Sequence, residues 1–89
     1  MNTIKIVYCT RCGWLPRSAW MAQELLNTFS ENIQELHLVP SNGGIFEIYV
    51  NDKLIWSRVE KDGFPDIKEL KQLVRDEVNP DMDLGHTDN

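Results

Sequence analysis

Thr3 to Tyr8, TIKIVY, is a run of β-branched and aromatic residues that ends directly on Cys9-Thr10-Arg11-Cys12. Such a run reads as a strand. A helix follows, with Pro16 in its first turn, where the missing N–H has no helical partner in any case. Nothing else in the chain constrains the fold as strongly. The two cysteines are held at a strand-to-helix junction, and the elements downstream must be consistent with that.

Leu15, Ala19, Ala22, Leu26 and Phe29 recur at helical spacing and predict an apolar stripe. The helix fades near Ser30 to Asn32. Ile33 to Val39 predicts a second strand, and Pro40-Ser41-Asn42-Gly43-Gly44 a turn-rich loop. Ile45 to Val50, IFEIYV, is the clearest strand pattern. Asn51-Asp52 separates it from Leu54-Ile55-Trp56, and both residues tolerate left-handed backbone angles, so a tight hairpin fits. A charged loop leads to Phe64-Pro65-Asp66, which reads as a helix entrance. Pro65 fits the first helical position, and Asp66 puts negative charge near the positive helix end. Ile67, Leu70, Val74 and Val78 follow at helical spacing, and Pro80 stops the pattern.

The predicted order is strand, helix, strand, strand, strand, helix. A chain of 89 residues holds one small domain. The first three elements form a right-handed parallel crossover, and the next two a hairpin. This is a thioredoxin-like α/β layout: β-α-β-β-β-α, with a four-stranded mixed sheet and two helices. The domain is expected over residues 1–79, with a flexible polar tail over 80–89.

The formal net charge of −5 argues against a nucleic acid or an anionic membrane as partner, since phosphate binding needs a basic face. No apolar run approaches the ~20 residues that span a bilayer. The first ten residues lack the pattern of a secretory signal. A cytoplasmic setting is therefore expected, where thiols are kept reduced.

There the cysteine pair admits three readings. It is a redox couple, half of a metal site, or two inert buried residues. Two intervening residues let Cys9 and Cys12 close a small ring, because a disulfide needs Cα atoms about 4.4–6.8 Å apart. Arg11 inside the motif and the N–H groups of the helix start favour a thiolate, and Arg17 adds to the field. Zinc needs about four ligands at a structural site, and His37 and His86 are the sole histidines. His37 lies in a strand and His86 in the tail, so a metal site calls for two chains pooling their motifs.

Taken together, IVYCTRCGWLPRSAW, GGIFEIYVNDKLIW and KDGFPDIKELKQLVRD resemble the selenoprotein W, T and H (Rdx) family of thioredoxin-like proteins. The bacterial selenoprotein W-like branch is the most similar. The resemblance implies a small thiol–disulfide protein linked to glutathione or to partner-protein thiols, with no tightly bound cofactor and with glutathione as a possible reductant. In selenocysteine-containing members, selenium occupies the second slot of the pair, which here is Cys12. Sulfur replaces it in this chain. Thioredoxins attack with the first cysteine and place a cis-proline before the strand facing the site. Here that strand follows Gly43-Gly44, which lets a backbone or small thiol come close.

Other residues read two ways. Trp14 lies beside the cysteines and suits either packing or a floor for a peptide or glutathione. Trp20 points away from the predicted stripe, towards Arg17 and Glu24, and suits equally a partner or homodimer surface and ordinary packing. Trp56 reads as core, and His37 as an ordinary strand residue. Phe64 serves as a staple for the last helix or sits near the active end of the sheet. Two functions compete: a thiol–disulfide oxidoreductase or redox carrier, and a redox-gated protein-binding module without turnover.

Overall fold

The computed structural model describes residues 1–85. Strand β1 is Thr3–Cys9, helix α1 Leu15–Thr28, β2 Glu35–Ser41, β3 Phe46–Val50 and β4 Lys53–Ser57. Helices α2, Arg58–Lys61, and α3, Ile67–Val78, complete the order. The sheet runs β2-β1-β3-β4, with β1 parallel to β2 and antiparallel to β3, and β3 antiparallel to β4. This is the expected thioredoxin-like mixed sheet, with one additional helix. RVEK is a single turn, too short to show a helical period. Ser57 caps it by accepting a hydrogen bond from the Glu60 N–H at 3.4 Å.

Alternation along the strands determines which face is covered. Ile4, Ile6 and Tyr8 stand opposite Val50, Ile48 and Phe46, and all six are buried. That face carries α1 and α3, which also pack against each other. Among the described residues of the other face, Lys5, Val7, His37, Val39, Glu47 and Tyr49 are half-buried or exposed. The sheet is therefore covered on one side, as antiparallel and mixed sheets can be.

The inward face of α1 differs from the predicted stripe. Ser18, Met21, Ala22 and Leu25 are buried, with Phe29 just beyond the helix, whereas Leu15 and Leu26 are 47% and 42% exposed. The helix is rotated because α3 lies along one flank. The Lys71 ammonium meets the Glu24 carboxylate at 3.0 Å across that flank. A wheel drawn from apolar residues alone cannot place a neighbour of this kind.

β2 also extends further than its pattern, through Pro40 and Ser41. It is an edge strand, where a proline is tolerated because no second neighbour needs its N–H. At α3 the start shifts by two residues relative to expectation. Asp66 is the N-cap and accepts from the Glu69 N–H at 2.8 Å, so Pro65 precedes the helix. The hairpin forms on Asn51 and Asp52, with φ of 50° and 68°. After Pro80 the chain turns back. Arg75 donates to the Met82 carbonyl at 3.2 Å, and Met82 and Leu84 pack on the core. Apolar residues spaced two apart hold this stretch against the domain, while residues 86–89, including His86, lie outside the described part.

Candidate functional site

β1 is the central parallel strand and ends on Cys9, which is 2% exposed. A tight turn follows: the Gly13 N–H donates to the Thr10 carbonyl at 3.1 Å, and Gly13 takes φ of 75°. A left-handed angle of that size suits glycine alone without strain. The turn is tied to the end of β2, because the Thr10 N–H and hydroxyl both donate to the Ser41 carbonyl at 3.0 Å. Cys12 rides on this turn and is exposed, as are Arg11 and Gly13. The two cysteines are joined as a disulfide with Cα atoms 5.4 Å apart. One sulfur thus belongs to a buried, fully paired strand and the other to an exposed turn, so the bond can open and close with little demand on the sheet.

Behind the turn stands an aromatic cluster. Trp14, the residue preceding α1, meets Phe64 edge to face at 5.0 Å, and Phe64 meets Phe46 at 4.9 Å. Such pairs contribute about 0.5–1.5 kcal/mol beyond burial. Two guanidinium groups cover the cluster. Arg17 lies 4.1 Å from the centre of the Phe64 ring, and Arg58 lies 5.1 Å from that of Trp14. Arg58 also donates through Nε to the Gly44 carbonyl at 3.1 Å. Gly43 and Gly44 both have positive φ, 73° and 75°, and turn this carbonyl towards Arg58.

Cys9, Arg11, Cys12, Trp14, Gly44 and Phe64 therefore gather at one end of the sheet. Gly43 shapes the same loop. Trp20 does not join them. It is 47% exposed on the outer face of α1 and takes no part in the aromatic cluster. Arg58 and Phe46 are additions that sequence reading missed. Phe46 looked like any strand residue. Arg58 lay in a segment read as a charged loop, and no spacing rule links it to Trp14.

Among the described residues, no three His, Cys, Asp or Glu side chains cluster as a metal site, and no helix is long and apolar enough to cross a membrane. A disulfide-bonded pair at the carboxyl end of β1, leading into the first crossover helix, defines a thioredoxin-like thiol redox protein. The chain belongs to the Rdx family, whose model matches residues 3–76.

Two solved structures agree in detail. A selenoprotein W-related protein from Vibrio cholerae is 51% identical, with a TM-score of 0.86, over 88% of this chain and 98% of that one. A Bordetella parapertussis protein is 53% identical, with a TM-score of 0.83, over 85% and 96%. Mouse migration and invasion enhancer 1 is 31% identical over 74 residues, or 81% of this chain. The chain spans 61% of the length of that mouse relative.

Proposed function

We propose that the protein is a thiol–disulfide exchange protein of a reducing cytoplasm in which Cys12 is the attacking sulfur and Cys9 the resolving one. The observation that carries this reading is the unequal exposure of the two residues. An incoming disulfide reaches Cys12 on its turn and is kept from Cys9 by the sheet. The Cys12 thiolate attacks the partner disulfide, forming a mixed disulfide and releasing one partner thiol. The Cys9 thiolate then attacks Cys12 sulfur, releasing the second partner thiol and leaving the protein oxidised. Two electrons pass from the dithiol to the partner. A thiol such as glutathione, or a partner-protein thiol, restores the pair. Arg11, next to Cys12, favours its thiolate.

Turnover of a small neutral disulfide, hydroxyethyl disulfide, by the reduced protein tests the assignment. Cys9→Ser is expected to stop at a mixed disulfide on Cys12, detectable by intact mass, and Cys12→Ser to give no adduct. A double serine variant with unchanged turnover would refute the reading.

A further inference from the structure

Resting on that reading, we infer that the disulfide Cys12 attacks lies in a polypeptide segment with carboxylate side chains on either side of its cysteine, recognised by Arg11, Arg17 and Arg58. The protein as a whole is acidic, with a formal charge of −5, yet its redox end carries three guanidinium groups. Ion pairs among the described residues include His37–Glu35, Lys53–Glu77, Lys71–Glu24 and Arg75–Asp76. None includes Arg11, Arg17 or Arg58. Arg17 and Arg58 are held instead by the faces of Phe64 and Trp14 and by the Gly44 carbonyl. Stacking fixes a guanidinium without neutralising it, so its charge stays available to a carboxylate. The nearby carboxylate of Asp66 is turned onto the N–H of Glu69 as a helix cap.

The surface around Cys12 also indicates the kind of partner. Thr10, Arg11, Cys12, Gly13, Leu15, Pro16 and Arg17 are all exposed. Cys12 thus stands on an exposed rim formed by the turn and the start of α1. An extended chain can lie across such a rim, touch Leu15 and Pro16, and place acidic side chains on the arginines. A small thiol would meet only part of it.

The charge ranking tests this sharply, because the net charge and the arginine collar predict opposite orders. At about 0.1 M ionic strength, charges more than about 10 Å away are largely screened, so the collar governs. The probes are three peptides, each with one central cysteine carried as a 2-thiopyridyl mixed disulfide. The flanking residues are Glu in one, Ser in the second and Lys in the third. Attack on the peptide sulfur releases 2-thiopyridone, which is read by absorbance. Resolution by Cys9 then releases the peptide thiol.

The Glu peptide is expected to react about tenfold faster than the Lys peptide, with Ser between. The ratio falls towards one near 0.5 M salt and in Arg11→Gln/Arg17→Gln/Arg58→Gln, and it largely survives in Arg11→Lys/Arg17→Lys/Arg58→Lys. Dithiodiglycolate against hydroxyethyl disulfide, a small pair differing in carboxylates, is expected to differ by less than about threefold. Equal rates for the three peptides, a faster Lys peptide, or a ratio that survives loss of all three guanidinium groups would overturn the inference while leaving the exchange reaction standing. A small-disulfide ratio as large as the peptide ratio would overturn the polypeptide assignment. Failure to react with any probe would remove the exchange reading and this inference with it.

Discussion

Cys9 and Cys12 share one covalent bond but occupy opposite environments: Cys9 is 2% exposed at the end of β1, and Cys12 stands exposed on the following turn. In the reduced protein the difference should persist, since the Gly13–Thr10 and Thr10–Ser41 hydrogen bonds that shape the turn do not involve sulfur. Brief treatment with iodoacetamide should alkylate Cys12 at least about tenfold faster than Cys9, because reagent access favours it. Peptide mass spectrometry after proteolysis gives the two rates. Equal labelling would mean that the turn collapses on reduction.

Ser18 lies in the buried face of α1 with 0% exposure, and its hydroxyl has no hydrogen-bond partner among the described residues. An unpaired buried hydroxyl costs about 1–3 kcal/mol in lost hydration. Ser18→Ala removes the hydroxyl and improves helix propensity, so the oxidised protein should gain about 1 kcal/mol. Urea unfolding with an unchanged m-value measures it. A loss of stability would show that the hydroxyl is paired in solution.

Much of this architecture was legible because strand chemistry is local. TIKIVY and FEIYV alternate between a covered and an uncovered face, and Asn51-Asp52 sets the hairpin by its own backbone preference. The cysteine pair was legible for the same reason, since both sulfurs sit within four residues of one junction. Features decided by distant neighbours were not. The rotation of α1 depends on α3, the length of β2 depends on its being an edge, and the position of Arg58 depends on a ring far off in sequence. Leu15 and Leu26 illustrate the limit: they fit a helical period, but both are exposed in the fold.

The Gly43-Gly44 loop separates two effects. Both residues have positive φ, but an added Cβ meets nothing within 4 Å at Gly43, and only the flexible end of Arg58, 3.4 Å away, at Gly44. Backbone strain of about 1–2 kcal/mol should therefore dominate in Gly43→Ala and Gly44→Ala alike. Matched urea titrations test this. A much larger loss for Gly44→Ala would show that Arg58 cannot give way and that its bond to the Gly44 carbonyl is stiff.

On the uncovered face of the sheet, the Tyr49 hydroxyl donates to a Glu47 carboxylate oxygen at 2.7 Å. This hydrogen bond, helped by partial burial and by the negative charge of Glu47, holds the phenol above its ordinary pKa near 10. The Lys5 ammonium, 4.8 Å from the ring centre, acts in the opposite sense. A raised pKa means the folded protein keeps this proton when the unfolded chain has lost it. The stabilisation is therefore complete below about pH 10 and is lost as pH rises through the pKa of folded Tyr49. Glu47→Gln removes the charge and should bring the Tyr49 pKa down, while Lys5→Gln should raise it further. Titration of ¹³C-labelled tyrosine ring signals resolves Tyr49 from Tyr8 without a second substitution. The alkaline decline in stability should be shallower in Glu47→Gln than in the parent protein. A Tyr49 pKa unmoved by that substitution would show that the hydroxyl does not donate to Glu47 in solution.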